Sequence, residues 1–266
     1  MSWHALDWTI LWPALVAGLL VLLTHVPLGM DVLDRGIVFV DLAIAQVAGL
    51  GVILAHGMGI AEQGWGVQLA AVTSALLGAA LLTWTERQAA QQHEAFIGVL
   101  FVLASSVGIL ALARNPHGGE HLQDLLVGQI LWVTPPQLGV LAAVTALLMF
   151  WMWAGGMRRF GRFGFYGVFA VAVTASVQLV GVYLVFSSLI VPALATSAVR
   201  PRGRRIGIAL ALGAVSYAVG LALSALFDLP SGAVVVCTMA VLGLLVRRFA
   251  GRQAVVSPST ATRTSS

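Results

Sequence analysis

"FGFYGVFAVAVTASVQLVGVYLVFSSLIVPALATSAV" occupies residues 163–199 and contains no charged side chain. A helix of about 20 residues already crosses the ~30 Å hydrocarbon layer of a membrane, so this stretch is too long for one span. Gly181 and Pro192 interrupt it. The stretch therefore predicts two spans, or one span followed by a broken and partly re-entrant element.

Similar apolar runs recur along the 266 residues, which are 59% hydrophobic and only 9% charged. A soluble domain of this size needs a more polar surface. The sequence predicts an all-α polytopic membrane protein with one transmembrane domain over residues 1–252 and a disordered Ser/Thr-rich cytoplasmic tail over residues 253–266. About nine spans are predicted: Leu11–Val26, Gly36–Ala55, Gly66–Trp84, Ala95–Ala113, Gln137–Ala154, Phe163–Val180, Val182–Val199, Ile206–Phe227 and Gly232–Val246.

The arginines test this topology, because positive charges near span ends concentrate on cytoplasmic loops. Every arginine except Arg114 falls on alternate loops or the tail when the N-terminus is outside and the C-terminus cytoplasmic. Membrane topology thus explains the net charge of +4. No aromatic-basic surface accompanies these arginines, so no nucleic-acid partner is expected.

Two residue types limit the chemistry. The chain has no lysine, which excludes both a Walker A phosphate loop and a lysine Schiff base. Its single cysteine, Cys237, excludes an internal disulfide and is expected to be a small buried apolar residue. We expect no bound cofactor and no enzymatic activity in this chain.

The span that follows Arg35 contains two polar residues, Asp41 and Gln46. An acid in the hydrocarbon region costs several kcal/mol unless it faces a cavity or a partner, so Asp41 is a functional candidate. The two residues lie roughly 140° apart around a straight helix and do not point to one place. A structural hydrogen bond to a neighbouring helix is the alternative for each.

A cluster of metal-binding residue types, "HGGEH" and the following acid, lies on the predicted extracytoplasmic side and comprises His117, Glu120, His121 and Asp124. From Glu120 to Val133 the pattern is amphipathic and too short to span, which predicts an interfacial or re-entrant helix. The cluster fits a solvated loop, a site for metal capture or partner docking, or a metalloenzyme centre. Gly118 and Gly119 disfavour the enzyme, because its histidines need a rigid helix.

Two further polar residues have structural interpretations. Glu94 begins the fourth span and is expected to cap that helix. His25, near the inner end of the first span, is expected to pack between helices.

Five segments together resemble a known family: "RGIVFVDLAIAQVAGLG", "HEAFIGVLFVLASS", "DLLVGQILWVTPPQL", "LVGVYLVFSSLIVPALAT" and "FDLPSGAVVVC". In this order they are similar to the membrane permease subunits of zinc and manganese ABC importers. The resemblance implies a multi-pass protein of the bacterial plasma (inner) membrane that forms a homodimer. It also implies an ABC ATPase subunit that hydrolyses ATP, an extracytoplasmic metal-binding protein, and a divalent metal as transported substrate.

The resemblance implies that Asp41 and Gln46 line the translocation pathway and that the cluster of His117, Glu120, His121 and Asp124 forms an outer vestibule. The ion would contact Asp41, His117 and His121. Family members carry an Asp and a His four residues apart in this span. Here Gln46 stands at the histidine position and Asp41 is displaced by one residue, which favours ions harder than zinc.

The family docks its ATPase with a longer cytoplasmic segment at the position of Gly155–Gly167, which is short and basic here. Docking is expected to use this loop together with Val199–Gly207, or the short turn Thr85–Glu94, with anchoring to anionic lipid as the alternative for the arginines. The docking candidates are Arg158, Arg159, Arg162, Arg202, Arg204 and Arg205.

Two functions of other classes remain open on the sequence. A proton-coupled secondary transporter would use Asp41 as the carboxylate that binds and releases the proton. A membrane metalloenzyme would be centred on His117, Glu120 and His121.

Overall fold

The computed structural model describes residues 8–60, 64–113 and 126–255, without the side chains of residues 157–158 and 249–255. These ranges contain nine bounded α-helices and no β-strand, which confirms the predicted all-α class. The helices are α1 (Trp8–Arg35), α2 (Val40–Gly57), α3 (Trp65–Gln88), α4 (His93–Leu112), α5 (Pro135–Trp153), α6 (Gly156–Val180), α7 (Val182–Ala195), α8 (Arg202–Phe227) and α9 (Ser231–Val255).

The helix lengths agree with the predicted number of about nine spans. Eight helices in the described ranges are long and apolar enough to cross a membrane. The ninth, α7, has 14 residues and is roughly 21 Å long, shorter than the hydrocarbon layer. The chain therefore contains one short apolar helix beside eight of spanning length.

The long apolar stretch of residues 163–199 breaks at Gly181, as predicted. Gly181 has φ +82°, a conformation that ends α6 at Val180 and lets α7 begin at Val182. Pro192, the other predicted interruption, instead lies inside α7. The proline ring removes one backbone hydrogen bond from the helix but does not stop the helix at that residue. Helix α7 continues past Pro192 and ends within a turn, at Ala195.

The helix expected over Glu120–Val133 is interrupted. Residues 114–125 lie outside the described ranges, and helical geometry beyond them stops at Val127. Gly128 has φ +73°, and Ile130–Trp132 forms a short 3-10 helix whose Ile130 side chain is buried. This 3-10 helix packs against α1 and α9.

Three glycines join these irregular segments, and we call Gly128, Gly181 and Gly232 the glycine junction. A Cβ added at Gly128 would overlap the backbone of Val180 and Gly181, and one at Gly181 would overlap Val127 and Gly128. A Cβ at Gly232 would lie 2.7 Å from the Val127 carbonyl oxygen. The break between α6 and α7, the chain before α5 and the start of α9 are thus in direct backbone contact.

Arginines gather where α1 and α3 end and where α6 and α8 begin, a region we call the arginine end. Because these contacts join helices that are distant in sequence, the helix ends must lie at one side of the bundle. The contacts are Arg202 with Asp31, Arg205 with Asp34 at 3.9 Å, Arg162 with Glu86 at 3.2 Å, Arg35 over the Phe165 ring at 4.2 Å and Arg87 over the Phe163 ring at 4.9 Å.

Exposed tryptophans mark two levels along the bundle. Tryptophan prefers the interfaces between membrane and water, so these levels delimit the part of the protein that lies in hydrocarbon. Trp84, Trp151 and Trp153 lie near the arginine end, and Trp8, Trp12, Trp65 and Trp132 lie near the opposite end.

Helix α1 packs against four others, α5, α6, α7 and α8. Close approach is possible because the Tyr217 ring lies against Gly18 and the Leu22 side chain lies against Gly213. Cys237 is exposed on α9 rather than buried as expected. Its helix packs mainly against α7 and α8, which leaves much of its surface uncovered.

Candidate functional site

The start of α2 carries the acid selected from the sequence, Asp41. Gly36, with φ +71°, closes the turn after Arg35, and α2 begins at Val40. No side chain of its own segment caps this helix; instead the Phe39 N–H donates to Glu94 Oε1 on α4 at 3.3 Å. Glu94 therefore caps α2 across the helix pair, whereas the sequence suggested that it caps α4.

Asp41 is fully buried inside the chain, and neither carboxylate oxygen has a hydrogen-bond partner among the described residues. The expected alternative, a structural hydrogen bond to a neighbouring helix, is therefore not found within the described part of the chain. A buried polar group without a partner costs free energy, because water has been removed and nothing replaces it. Asp41 remains the strongest candidate for a functional group in the described membrane-spanning segments.

Gln46 lies on the same continuous helix as Asp41 but is only partly buried. The two side chains thus occupy different environments, as their spacing of five residues requires. No hydrogen bond joins Asp41 to Gln46. The structure of the single chain does not bring them to one point.

Other buried polar side chains also have an atom without a hydrogen-bond partner among the described residues, and the sequence did not mark them as functional candidates. His25 lies in α1, where Nδ1 is 2.9 Å from the Val21 carbonyl oxygen and Nε2 has no partner among the described residues. In α6, the buried atoms Thr174 Oγ1 and Gln178 Nε2 also have no hydrogen-bond partner among the described residues. Thr174 and Gln178 could have been found from the sequence, because each is a polar residue inside the apolar run "VTASVQLV".

The described residues contain no group of three or more His, Cys, Asp or Glu side chains that could hold a metal ion. Of the predicted metal-contacting residues, only Asp41 is described. The others, His117 and His121, lie outside the described ranges, as do the remaining vestibule residues Glu120 and Asp124.

A polar network at the arginine end connects α3, α4 and α6. His93 Nε2 lies 2.7 Å from Tyr166 Oη, and His93 Nδ1 lies 3.4 Å from Thr85 Oγ1. The neighbouring Glu86 forms the ion pair with Arg162. None of these contacts was predicted, because each residue stands alone at the end of an apolar run and only packing brings them together.

The predicted docking arginines differ in how available they are. Arg159 and Arg204 are exposed. Arg202 and Arg162 are about half exposed and paired with acids, whereas the Arg205 side chain is only 13% exposed and donates to the Ala193 carbonyl at 3.1 Å. The side chain of Arg158 lies outside the described set. Arg205 thus binds the end of α7 within the chain and has little surface to offer a partner.

The basic segment also has its own backbone geometry. Gly161 has φ +57° and ψ −128°, so the helical residues 156–160 are separated from the membrane-spanning remainder of α6. This short helical segment lies at the arginine end, and Trp151 of α5 stacks on its Phe160 with ring centroids 5.4 Å apart. The arrangement gives a short basic element that can contact a partner outside the membrane.

Comparison with known proteins gives a family match over nearly the whole chain. The family model described as "ABC 3 transport family" matches residues 7–155 and 155–250. The high-affinity zinc uptake system membrane protein ZnuB of Haemophilus influenzae is 26% identical over 86% of this chain and 94% of its own length. The manganese transport system membrane protein MntC of Halalkalibacterium halodurans is 24% identical over 95% of this chain and 91% of its own length.

A solved structure has the same fold. In PsaBC from Streptococcus pneumoniae in complex with Fab, one chain superimposes with a TM-score of 0.75 at 19% identity. The match covers 93% of this chain and 96% of that one. At this identity the likeness establishes the arrangement of helices.

Proposed function

Because the chain belongs to the ABC 3 transport family, we propose that it is the membrane permease subunit of an ATP-driven importer for a divalent metal cation. The observation that carries the proposal is the family match over residues 7–155 and 155–250. Relatives named for zinc uptake and manganese transport support a metal as the substrate. The metal is cargo, and the chain performs no bond chemistry.

In this proposal a separate ABC ATPase supplies the energy. The chain has no lysine and therefore no Walker A loop of its own. The arginine end faces the cytoplasm, in agreement with the preference of positive charge for that side. The ATPase contacts the short helical segment of residues 156–160, and the exposed Arg159 and Arg204 supply positive charge to the contact.

Two copies of the chain form the pathway, and the ion passes Asp41 and Gln46 while crossing. Asp41 is enclosed in the present conformation, so it reaches the ion only when α2 shifts against its neighbours during alternating access. An extracytoplasmic metal-binding protein delivers the ion to the vestibule formed by His117, Glu120, His121 and Asp124. The oxygen donors of Asp41 and Gln46 suit manganese better than zinc.

The test is uptake of manganese, zinc, iron, nickel and cobalt into proteoliposomes that contain the chain and its ATPase. We expect ATP-dependent uptake of one cation, lost with an ATPase-dead partner and reduced at least tenfold by Asp41→Asn. This substitution keeps the shape of the side chain and removes its ability to ionise. Asp228→Asn is the matched control, because Asp228 is exposed after α8 and asparagine tolerates its left-handed conformation.

Uptake that continues without the ATPase and stops when the proton gradient is collapsed would contradict the proposal. That result would support a proton-coupled transporter that uses Asp41. Full uptake by Asp41→Asn together with ATP dependence would retain the importer and remove Asp41 from its pathway.

A further inference from the structure

An apolar groove lies between α3, α5 and α6, and we call it the α3–α5–α6 groove. Its volume is about 480 Å³, which is within the usual range of small-molecule sites. It is lined almost entirely by carbon atoms. The lining includes Leu76, Leu147, Trp151, Phe160, Phe163 and Gly167.

The groove opens sideways into the region that the tryptophans assign to the bilayer. Leu147 on α5 is 65% exposed and Leu76 on α3 is 41% exposed, so the apolar wall is not covered within the chain. Trp151 lines the groove at the level of Trp84, which places one end of it beside the membrane interface. A molecule in the groove would therefore lie mainly in hydrocarbon with one end near water.

Cations surround that interfacial end. The Arg87 guanidinium lies 4.9 Å from the centroid of the Phe163 ring, which itself lines the groove. Arg87 is exposed and has no ion pair among the described residues, so its charge is available. Arg159 is also exposed and is adjacent in sequence to Phe160, another lining residue.

We propose that the α3–α5–α6 groove binds one acyl chain of an anionic phospholipid, with Arg87 contacting the headgroup phosphate. The apolar lining supplies the site for the chain. The arginines at its end supply the complementary charge, so an anionic headgroup binds better than a zwitterionic one. The lipid comes from the leaflet that borders the arginine end, and the site is separate from the ion pathway.

Native mass spectrometry of the delipidated full chain in detergent tests this proposal, with phosphatidylglycerol and phosphatidylcholine of identical acyl chains as probes. Gly167 has open space where a Cβ would project, so Gly167→Leu partly fills the groove without displacing a neighbour. We expect this variant to lose most of its bound lipid. Gly139→Leu is the matched control, because Gly139 is an exposed helical glycine that also has open space at the Cβ position and lies outside the groove.

The headgroup is tested with Arg87→Gln, which should lower phosphatidylglycerol binding several-fold more than phosphatidylcholine binding, because the choline group offsets the charge of the phosphate that both lipids share. Arg247→Gln is the charge control, because Arg247 is exposed on α9, which does not line the groove. Leu147→Trp provides a second obstruction if Gly167→Leu does not fold.

Two results would overturn the inference. One is equal lipid retention by the wild-type chain and both groove-filling variants. The other is conversion of a dimer to a monomer by these variants with no change in lipid per chain, which would show that a second copy covers the groove. The same spectra report the mass of bound lipid and the mass of the dimer, so each measurement distinguishes a lipid in the groove from a second copy of the chain.

Discussion

At the scale of single residues, the three tyrosines of the chain show how burial determines what a hydroxyl group contributes to folding stability. Tyr166 and Tyr217 are buried, and their hydroxyl groups lie 2.7 Å from His93 Nε2 and 2.9 Å from Ser188 Oγ. Tyr183 is exposed on α7. A buried hydroxyl must be paired, because its interaction with water is lost on folding.

We predict that Tyr166→Phe destabilises the protein by about 1–3 kcal/mol, since it leaves the buried His93 Nε2 without its partner. Tyr183→Phe should change stability little, because the Tyr183 hydroxyl lies on an exposed side chain and does not lose a buried partner when it is removed. Thermal unfolding of the detergent-purified variants measures both effects. Equal melting temperatures for the two variants would show that the Tyr166–His93 contact contributes nothing to stability.

Asp41 illustrates the limit of residue-level prediction. Its place inside an apolar run identifies it as a candidate from the sequence. Its complete enclosure and the lack of a partner among the described residues follow from the packing of α2 against its neighbours. For Asp41 to contact an ion, α2 would have to move, and the apolar run alone does not indicate this.

At the scale of secondary-structure elements, the break between α6 and α7 depends on the glycine junction. Gly181 has φ +82°, and its Cα faces the backbone of Val127 and Gly128. Both a left-handed backbone and close contact are required there. Gly36 shares the first requirement, with φ +71°, but nothing lies within 4 Å of the position of its Cβ.

We predict that Gly181→Ala is much more damaging than Gly36→Ala. The positive φ costs each alanine roughly 1–3 kcal/mol of backbone strain, and only at Gly181 does the methyl group also overlap neighbouring backbone. The yield of folded protein and its melting temperature are the measurements. Equal losses for the two variants would mean that the backbones of the junction can separate without cost.

At the scale of the whole molecule, the contacts at the arginine end and the two levels of tryptophan define an axis across the membrane. Arg204 lies at one end of this axis, where α8 begins. Met58, which is 80% exposed, follows α2 at the other end. If the arginine end is cytoplasmic, reagents that cannot cross the membrane should distinguish these positions.

We predict that, in a Cys237→Ser background, intact cells label Met58→Cys with a membrane-impermeant maleimide but do not label Arg204→Cys. Permeabilised cells should label both, which controls for the reactivity of each thiol. The physical reason is the retention of positively charged loops on the cytoplasmic side. Labelling of Arg204→Cys in intact cells would reverse the proposed orientation.

The sequence by itself determined the class of fold, the approximate number of spans and the break at Gly181. These follow from local properties: the length of apolar runs and the conformational freedom of glycine. The order of short motifs also gave the family. The interruption at Gly128 was missed, because the amphipathic pattern continues through it.

Only the tertiary structure decided the contacts between distant segments. The Tyr166–His93 contact, the cap that Glu94 provides for α2, the burial of Arg205 and the α3–α5–α6 groove all depend on which helix faces meet. In a membrane protein nearly every helix face is apolar, so hydropathy does not reveal which face packs and which meets lipid. Close packing and hydrogen-bond geometry make that choice, and both depend on the whole chain.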